Sequence, residues 1–236
     1  MIPKKIHYCW FGGKELPSDV VKCIESWKKM APEYEIIRWD ESNFDVNSHP
    51  FMKKAYEEKF WAFVSDYARL KVVYENGGIY LDTDVELIKS LDELLDNKCY
   101  FGVQEQDHCV ASGLGFGAEK GSSVLKAMLE EYDKIEFSKE IVNDIACPLI
   151  NTRVIERLGY VANGQYAALG EVTIYPAEYF DPYSTGNSQC RLTDKTISIH
   201  HYSASWTPWT QRAKRRVVRM LGQNVVMKIK KILGRI

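Results

Sequence analysis

The sequence predicts an α/β protein built on a mostly parallel sheet with helices on both faces. Short apolar runs alternate with segments whose apolar residues recur at helical spacing, the pattern of repeated strand–helix units. A Gly77-Gly78 turn launches the apolar run Ile79-Tyr80-Leu81 directly out of one such helix. The 236 residues, 45% hydrophobic, are enough to bury one sizeable core, so one main domain over 1–210 with an appended segment is expected.

In chain order, residues 4–10 read as a strand and 17–30 as a helix with Val20, Val21, Ile24 and Trp27 inward. Residues 34–39 form the next strand. A long helix follows over 50–75, with Phe60, Phe63, Val64, Tyr67, Leu70 and Tyr74 on its inner side. Glu75-Asn76-Gly77-Gly78 stops that helix, because glycine accepts the left-handed conformation that ends helices. A strand at 79–82 comes next, then strands at 100–103 and 114–118 and helices at 121–133 and 148–158. A last strand near 196–200 delivers His200 and His201. Ligands of such sheets sit beyond the carboxyl ends of the strands.

The chemistry concentrates at Asp82-Thr83-Asp84. Alternation along a strand sends Tyr80, Asp82 and Asp84 to one side and Ile79 and Leu81 into the core. Two carboxylates so placed repel unless a cation lies between them. Mg²⁺ and Mn²⁺ take oxygen ligands and leave positions for substrate phosphates. A surface turn with two solvated acids is the competing reading. Upstream, Ser65, Asp66 and Arg69 lie within one helical turn, so Asp66 and Arg69 share a face. Such a pair is either a solvated ion pair or a clamp for hydroxyls of a ligand bound at the metal.

The string Ser65-Asp66-x-x-Arg69 with Gly77-Gly78-Ile79-Tyr80-Leu81-Asp82-Thr83-Asp84 resembles the signature of glycosyltransferase family 32. This DXD sugar-binding group includes Golgi mannosyltransferases and bacterial polysaccharide enzymes and is similar to the glucosyltransferase domain of the large clostridial toxins. Ile2-Pro3-Lys4-Lys5-Ile6-His7-Tyr8-Cys9-Trp10 resembles the family's opening strand, and His200-His201-Tyr202-Ser203-Ala204-Ser205-Trp206 its closing motif. The resemblance runs from residue 2 to about 209. It implies the GT-A fold, a Rossmann-like nucleotide-binding half joined to a smaller acceptor half.

The resemblance also implies roles. Asp66 and Arg69 bind donor-sugar hydroxyls, Ser65 lies near the ribose, and Tyr80 flanks the nucleotide. Asp82 bridges ribose, sugar and metal, and Asp84 binds the metal. Trp206 donates to the β-phosphate with help from Ser205. Trp10 stacks on the base, although its pattern alone also fits a core tryptophan. His7 reads as a satisfied core histidine. Adjacent strand residues face opposite ways, so one of His200 and His201 reaches the metal; the motif spacing favours His201, with His200 as the alternative. An imidazole ligand favours Mn²⁺ over Mg²⁺. The implied reaction is metal-dependent hexose transfer from a nucleotide sugar, a UDP-hexose before GDP-mannose, to a glycan hydroxyl with retention of configuration. Glu105, Asp107 and Asn151 are acceptor-side candidates or ordinary loop and cap residues. A nucleotide-sugar-binding protein without transfer, or a nucleotide-sugar hydrolase, is the alternative class.

The net charge of −1 hides an asymmetry. Residues 211–236 hold nine basic residues and no acid, leaving 22 bases against 32 acids in the rest. Val218, Leu221, Val225, Ile229, Ile232 and Ile236 form an apolar stripe, so the tail reads as a basic amphipathic helix for an anionic membrane surface. The alternative is a helix packed on the body. Nucleic acid is not expected as a partner, because the acidic body opposes approach to phosphate. The six cysteines show no metal-ligand spacing, and no apolar run approaches the ~20 residues of a membrane span. Together these predict a cytoplasmic protein, peripheral at the inner face of the cell membrane; the resemblance to bacterial polysaccharide enzymes then implies a lipid-linked glycan acceptor in capsule, O-antigen or exopolysaccharide synthesis.

Overall fold

The computed structural model describes residues 1–183 and 191–203. In order, the elements are β1 Lys5–Cys9, α1 Ser18–Met30, β2 Glu35–Trp39, α2 Pro50–Glu57, α3 Trp61–Asn76, β3 Gly78–Tyr80 and β4 Val85–Leu87. They continue with β5 Cys99–Val103, β6 Val110–Ala118, α4 Ser123–Tyr132, α5 Cys147–Glu156, β7 Ala167–Ala168, β8 Thr173–Tyr175, α6 Ala177–Phe180 and β9 Ser198–His200.

A seven-stranded sheet runs β2-β1-β3-β6-β5-β8-β7. β1 pairs in parallel with both β2 and β3, and β5 with β8; β6 and β7 run against the others. The parallel half uses helical crossovers, as parallel strands must. A separate two-stranded sheet joins β4 to β9, with Val85 opposite His200. This small sheet sets the register of the histidines against Asp84.

The central sheet is buried on both faces. One core holds Phe51, Tyr67, Leu70, Phe101, Phe116 and Tyr132 beneath α2 to α5. The other holds Ile6, Tyr8, Val20, Trp27, Ile79 and Leu81 beneath α1. Ile79 and Tyr80 therefore do alternate, but into two cores rather than between core and solvent. Trp27 is fully buried and its indole Nε1 donates to the Val85 carbonyl at 2.7 Å, which ties α1 to β4. Burying a ring of that size contributes about 1.5–3 kcal/mol. On α1 the inward residues are Val20, Cys23, Ile24 and Trp27, whereas Val21 is exposed, since Val20, Cys23 and Trp27 already fill the stripe.

The expected 50–75 helix is two helices. Lys59 has φ of 61°, left-handed for a residue with a side chain, and the Phe60 amide bonds back to the Ala55 carbonyl at 2.9 Å. The break carries neither glycine nor proline, and apolar spacing continues through it. α3 ends as predicted, with the Gly77 amide donating to Val73 at 2.8 Å. Gly77 and Gly78 have φ of 65° and 116°, and a Cβ at Gly78 would lie 2.8 Å from His7 Nε2. Only glycine fits that turn. His7 is a buried core residue: Trp39 Nε1 lies 3.0 Å from its Nδ1 and its Nε2 lies 2.8 Å from the Gly77 carbonyl. Among the described residues no helix is long and apolar enough to cross a membrane.

Candidate active site

The site forms where β3 ends, between α3 on one side and the β4–β9 pair on the other. Asp82, Thr83 and Asp84 are not strand; they make the tight connection from β3 to β4, closed by the Val85 amide on the Asp82 carbonyl at 2.9 Å. That turn lets the two aspartates face different partners.

Asp82 faces α3. Arg69, with a side chain 5% exposed, lies between the acids: its Nη2 is 2.9 Å from Asp66 Oδ1 and 3.3 Å from Asp82 Oδ1. Its Nε donates to the Ser65 carbonyl at 3.1 Å, and its Nη1 makes a long contact of 3.5 Å with Ser112 Oγ. The guanidinium also lies over the Tyr80 ring, 5.1 Å from the centroid, an arrangement that favours a cation. Tyr80 is buried, and its hydroxyl donates to Asp82 Oδ1 at 3.0 Å. Tyr80 thus supports Asp82 and Arg69 from below instead of flanking open space, because β3 is an interior strand covered on both faces.

Asp84 faces the C-terminal strand. Its Oδ1 lies 3.1 Å from His200 Nε2, and its Oδ2 accepts from the Ser203 amide at 2.8 Å and the Ser203 hydroxyl at 3.1 Å. The expectation that His201 joins the aspartates is corrected. His200 sits opposite Val85 at the end of β9, which aims it at Asp84. His201 lies one residue further on, and its Nε2 is 2.8 Å from Glu86 Oε2. Strand alternation separates them; the register, invisible in sequence, decides which faces the site.

The charges are tuned by burial and by partners. Burial raises the Asp66 carboxyl to about 6, against the pull of Arg69. Burial likewise raises Asp82, with Arg69 opposing and Asp84 adding to it. For Asp84 burial is outweighed, and His200 and Ser203 hold its carboxyl below the usual range. Burial would lower His200, but Asp84 raises it. Across 3.1 Å, Asp84 and His200 thus each favour the charged form of the other.

Asp82, Asp84 and His200 each present one ligand atom, and these atoms lie within 4.8 Å of one another. His200 Nδ1 is buried and has no hydrogen-bond partner among the described residues. Two carboxylate oxygens and an imidazole nitrogen suit a divalent ion of the Mn²⁺ type. The donor set thus fits a metal.

Of the other expected residues, Trp10 follows β1 half-buried, with its indole donating to the Lys14 carbonyl at 2.7 Å. Ser205, Trp206 and residues 211–236 lie outside the described residues. Asp107 accepts from the Cys109 amide at 3.0 Å, the local bond of a loop acid. The Glu105 amide donates to Asp181 at 3.1 Å. Asn151 is fully buried on α5, its Nδ2 4.0 Å from Cys147 Sγ. Sequence reasoning missed Ser112, Cys147, Asp181 and Tyr202. Ser112 Oγ meets Cys147 Sγ at 3.3 Å beside Arg69, and Tyr202 donates to Asp181 at 2.7 Å while its ring packs edge-on to His200, 4.1 Å between centroids. No local pattern marks the first three; Tyr202 and Ser203 stand inside the closing motif and were legible from it.

Residues 17–101 match the family described as "Glycosyltransferase sugar-binding region containing DXD motif". A similar protein is the uncharacterized glycosyltransferase L373 of Acanthamoeba polyphaga mimivirus, 25% identical over 226 residues, covering 91% of this chain and 87% of that one. Inositol phosphoceramide mannosyltransferase 3 of Schizosaccharomyces pombe is 36% identical over 98 residues, which span 40% of this chain and 27% of that protein. Among solved structures, PaToxG glycosyltransferase aligns with a TM-score of 0.56 at 20% identity, over 66% of this chain and 69% of that one. The shared architecture is the GT-A fold of glycosyltransferases. Region 17–101, with its aspartate pair just after β3, is thus similar to the DXD-containing sugar-binding region of glycosyltransferases.

Proposed function

We propose that this enzyme is a retaining, metal-dependent hexosyltransferase that uses a nucleoside diphosphate sugar, a UDP-hexose before GDP-mannose, and a glycan hydroxyl as acceptor. The observation that supports it best is the convergence of Asp82, Asp84 and His200 within 4.8 Å, beside the Asp66–Arg69 pair. Asp82, Asp84 and His200 would hold Mn²⁺ or Mg²⁺. A divalent ion bound there supplies charge neutralisation to the departing diphosphate.

The chain's own groups do the rest. Arg69 is held by Asp66, Asp82 and the Ser65 carbonyl, so its donors are positioned before a sugar arrives. Asp66 and Asp82 accept from sugar hydroxyls. Trp10 offers an aromatic surface for the base, and Ser65, Ser205 and Trp206 complete the contacts to ribose and diphosphate. In a front-face transfer the bond from C1 to the phosphate oxygen breaks as the acceptor oxygen bonds to C1 on the same face. The acceptor proton passes to the departing phosphate oxygen, so no protein nucleophile is needed. The basic composition of 211–236 supports a peripheral site at an anionic membrane surface and a lipid-linked glycan acceptor in bacterial polysaccharide synthesis.

A panel of UDP- and GDP-sugars, with Mn²⁺ and again in EDTA, tests this reading. Metal-dependent release of nucleotide from one donor, accelerated by a glycan acceptor, is expected. Release that no acceptor accelerates would make the protein a nucleotide-sugar hydrolase, and binding without turnover would remove the transferase reading.

A further inference from the structure

His200 is the last residue of β9, a three-residue strand whose sheet partner is β4. Such a strand fixes the backbone but leaves the torsions of the imidazole open. Nε2 faces Asp84, and Nδ1 is bonded by none of the described residues. The ring is held instead by a neighbour. Tyr202 packs edge-on against it, with 4.1 Å between centroids and 61° between planes. Tyr202 has φ of 49°, a left-handed conformation that a bulky residue keeps only where its surroundings impose it. That bend folds its ring back against His200 and brings the Ser203 amide onto Asp84.

The group that fixes Tyr202 is Asp181. This residue follows α6, is 2% exposed, and its amide donates to the Ala177 carbonyl at 2.7 Å. The Ile197 amide donates to the Tyr179 carbonyl at 2.8 Å, which ties α6 to the approach to β9. Asp181 Oδ2 accepts from the Tyr202 hydroxyl at 2.7 Å and from the Glu105 amide at 3.1 Å. Its Oδ1 is buried and has no hydrogen-bond partner among the described residues. Burying a carboxylate is costly, and one hydroxyl and one amide do not use all its acceptor sites. The cost is explained if the group orients a metal-facing ring, since such outer partners fix the ligands they support.

We infer that Asp181 is a positioning residue of the metal centre. Through the Tyr202 hydroxyl it fixes the Tyr202 ring edge-on against His200 and so keeps Nε2 turned toward Asp84. The inference rests on the metal-dependent reading above. A carboxylate that merely held the Glu105 amide would leave metal binding untouched.

The test uses the full chain with UDP present, and calorimetric titration reads the Mn²⁺ affinity. Asp181→Ala should weaken Mn²⁺ binding at least about tenfold, the scale of losing an outer partner of a metal ligand. Tyr202→Phe keeps the ring and the bond from Glu105 to Asp181 but removes the link, and it should lose a comparable factor. Asp181→Asn keeps an acceptor oxygen for the hydroxyl and should bind within about threefold of wild type. Because both changes cut one link, Asp181→Ala combined with Tyr202→Phe should lose no more than about twofold beyond the larger single loss. Electron spin-echo spectra of the bound Mn²⁺ add a signature that general damage does not mimic. The nitrogen coupling from the His200 imidazole should persist in Asp181→Asn and weaken in Tyr202→Phe. Wild-type affinity and nitrogen coupling in Tyr202→Phe would overturn the inference, even if Asp181→Ala fails to fold. Additive losses in the double variant, or equal losses in Asp181→Asn and Asp181→Ala, would overturn it too. A wild type that binds no Mn²⁺, or binds it without nitrogen coupling, is a separate result that sinks the metal reading itself.

Discussion

Asp66→Asn removes a charge from the buried cluster at Arg69 with little change of shape. Asp66 Oδ1 lies 2.9 Å from the guanidinium, and its side chain is 11% exposed. Burial raises its carboxyl from 3.8 to about 6 even though Arg69 pulls the other way. Between those values the folded protein holds a proton that the unfolded chain has released. Wild-type stability therefore falls as pH rises through this window, and the loss is complete above about pH 6. Roughly two units at about 1.36 kcal/mol each amount to about 3 kcal/mol. Asparagine has no such proton. Most of this lies between pH 4 and pH 7, so over that range the stability of the variant should improve relative to wild type by about 2 kcal/mol. Urea denaturation at both pH values measures it, provided the m-values match. Parallel pH profiles for the two proteins would refute the claim that a buried, proton-holding Asp66 backs Arg69.

Two further outcomes follow from the site and the tail. Asp84→Asn should leave a folded protein whose metal-dependent donor turnover falls by about 100-fold or more, the scale of losing a placed electrostatic partner; near-normal turnover would remove Asp84 from the metal. Deleting residues 211–236 should weaken binding to anionic vesicles while donor turnover in solution persists, and unchanged vesicle binding would sink the membrane role.

Much of the fold was legible because its punctuation is local. Gly77-Gly78 marks the end of α3 and the start of β3 by a backbone demand that only glycine meets. The inward faces of α1 and α3 follow from apolar spacing. The break at Lys59 was not legible, since the same spacing runs through both helices and no breaker residue marks it. β4, β7 and β8 are two or three residues long and carry no period of their own. At the site, the aspartates and Arg69 stand in one motif and could be read together. The choice of His200 over His201 needed the pairing of β4 with β9, a contact between residues more than a hundred positions apart. Gly113 and Ser112 sit in a run of small residues that looks like ordinary buried strand until the strand is laid beside Asp82.

The most direct test of the Asp82–Asp84–His200 centre is titration of Mn²⁺ with a bound UDP-hexose into wild type, His200→Ala and His201→Ala. Loss of at least about tenfold in Mn²⁺ affinity for His200→Ala, with His201→Ala near wild type, is the predicted result. The reverse order, or equal affinity in all three proteins, would contradict the placement of the metal.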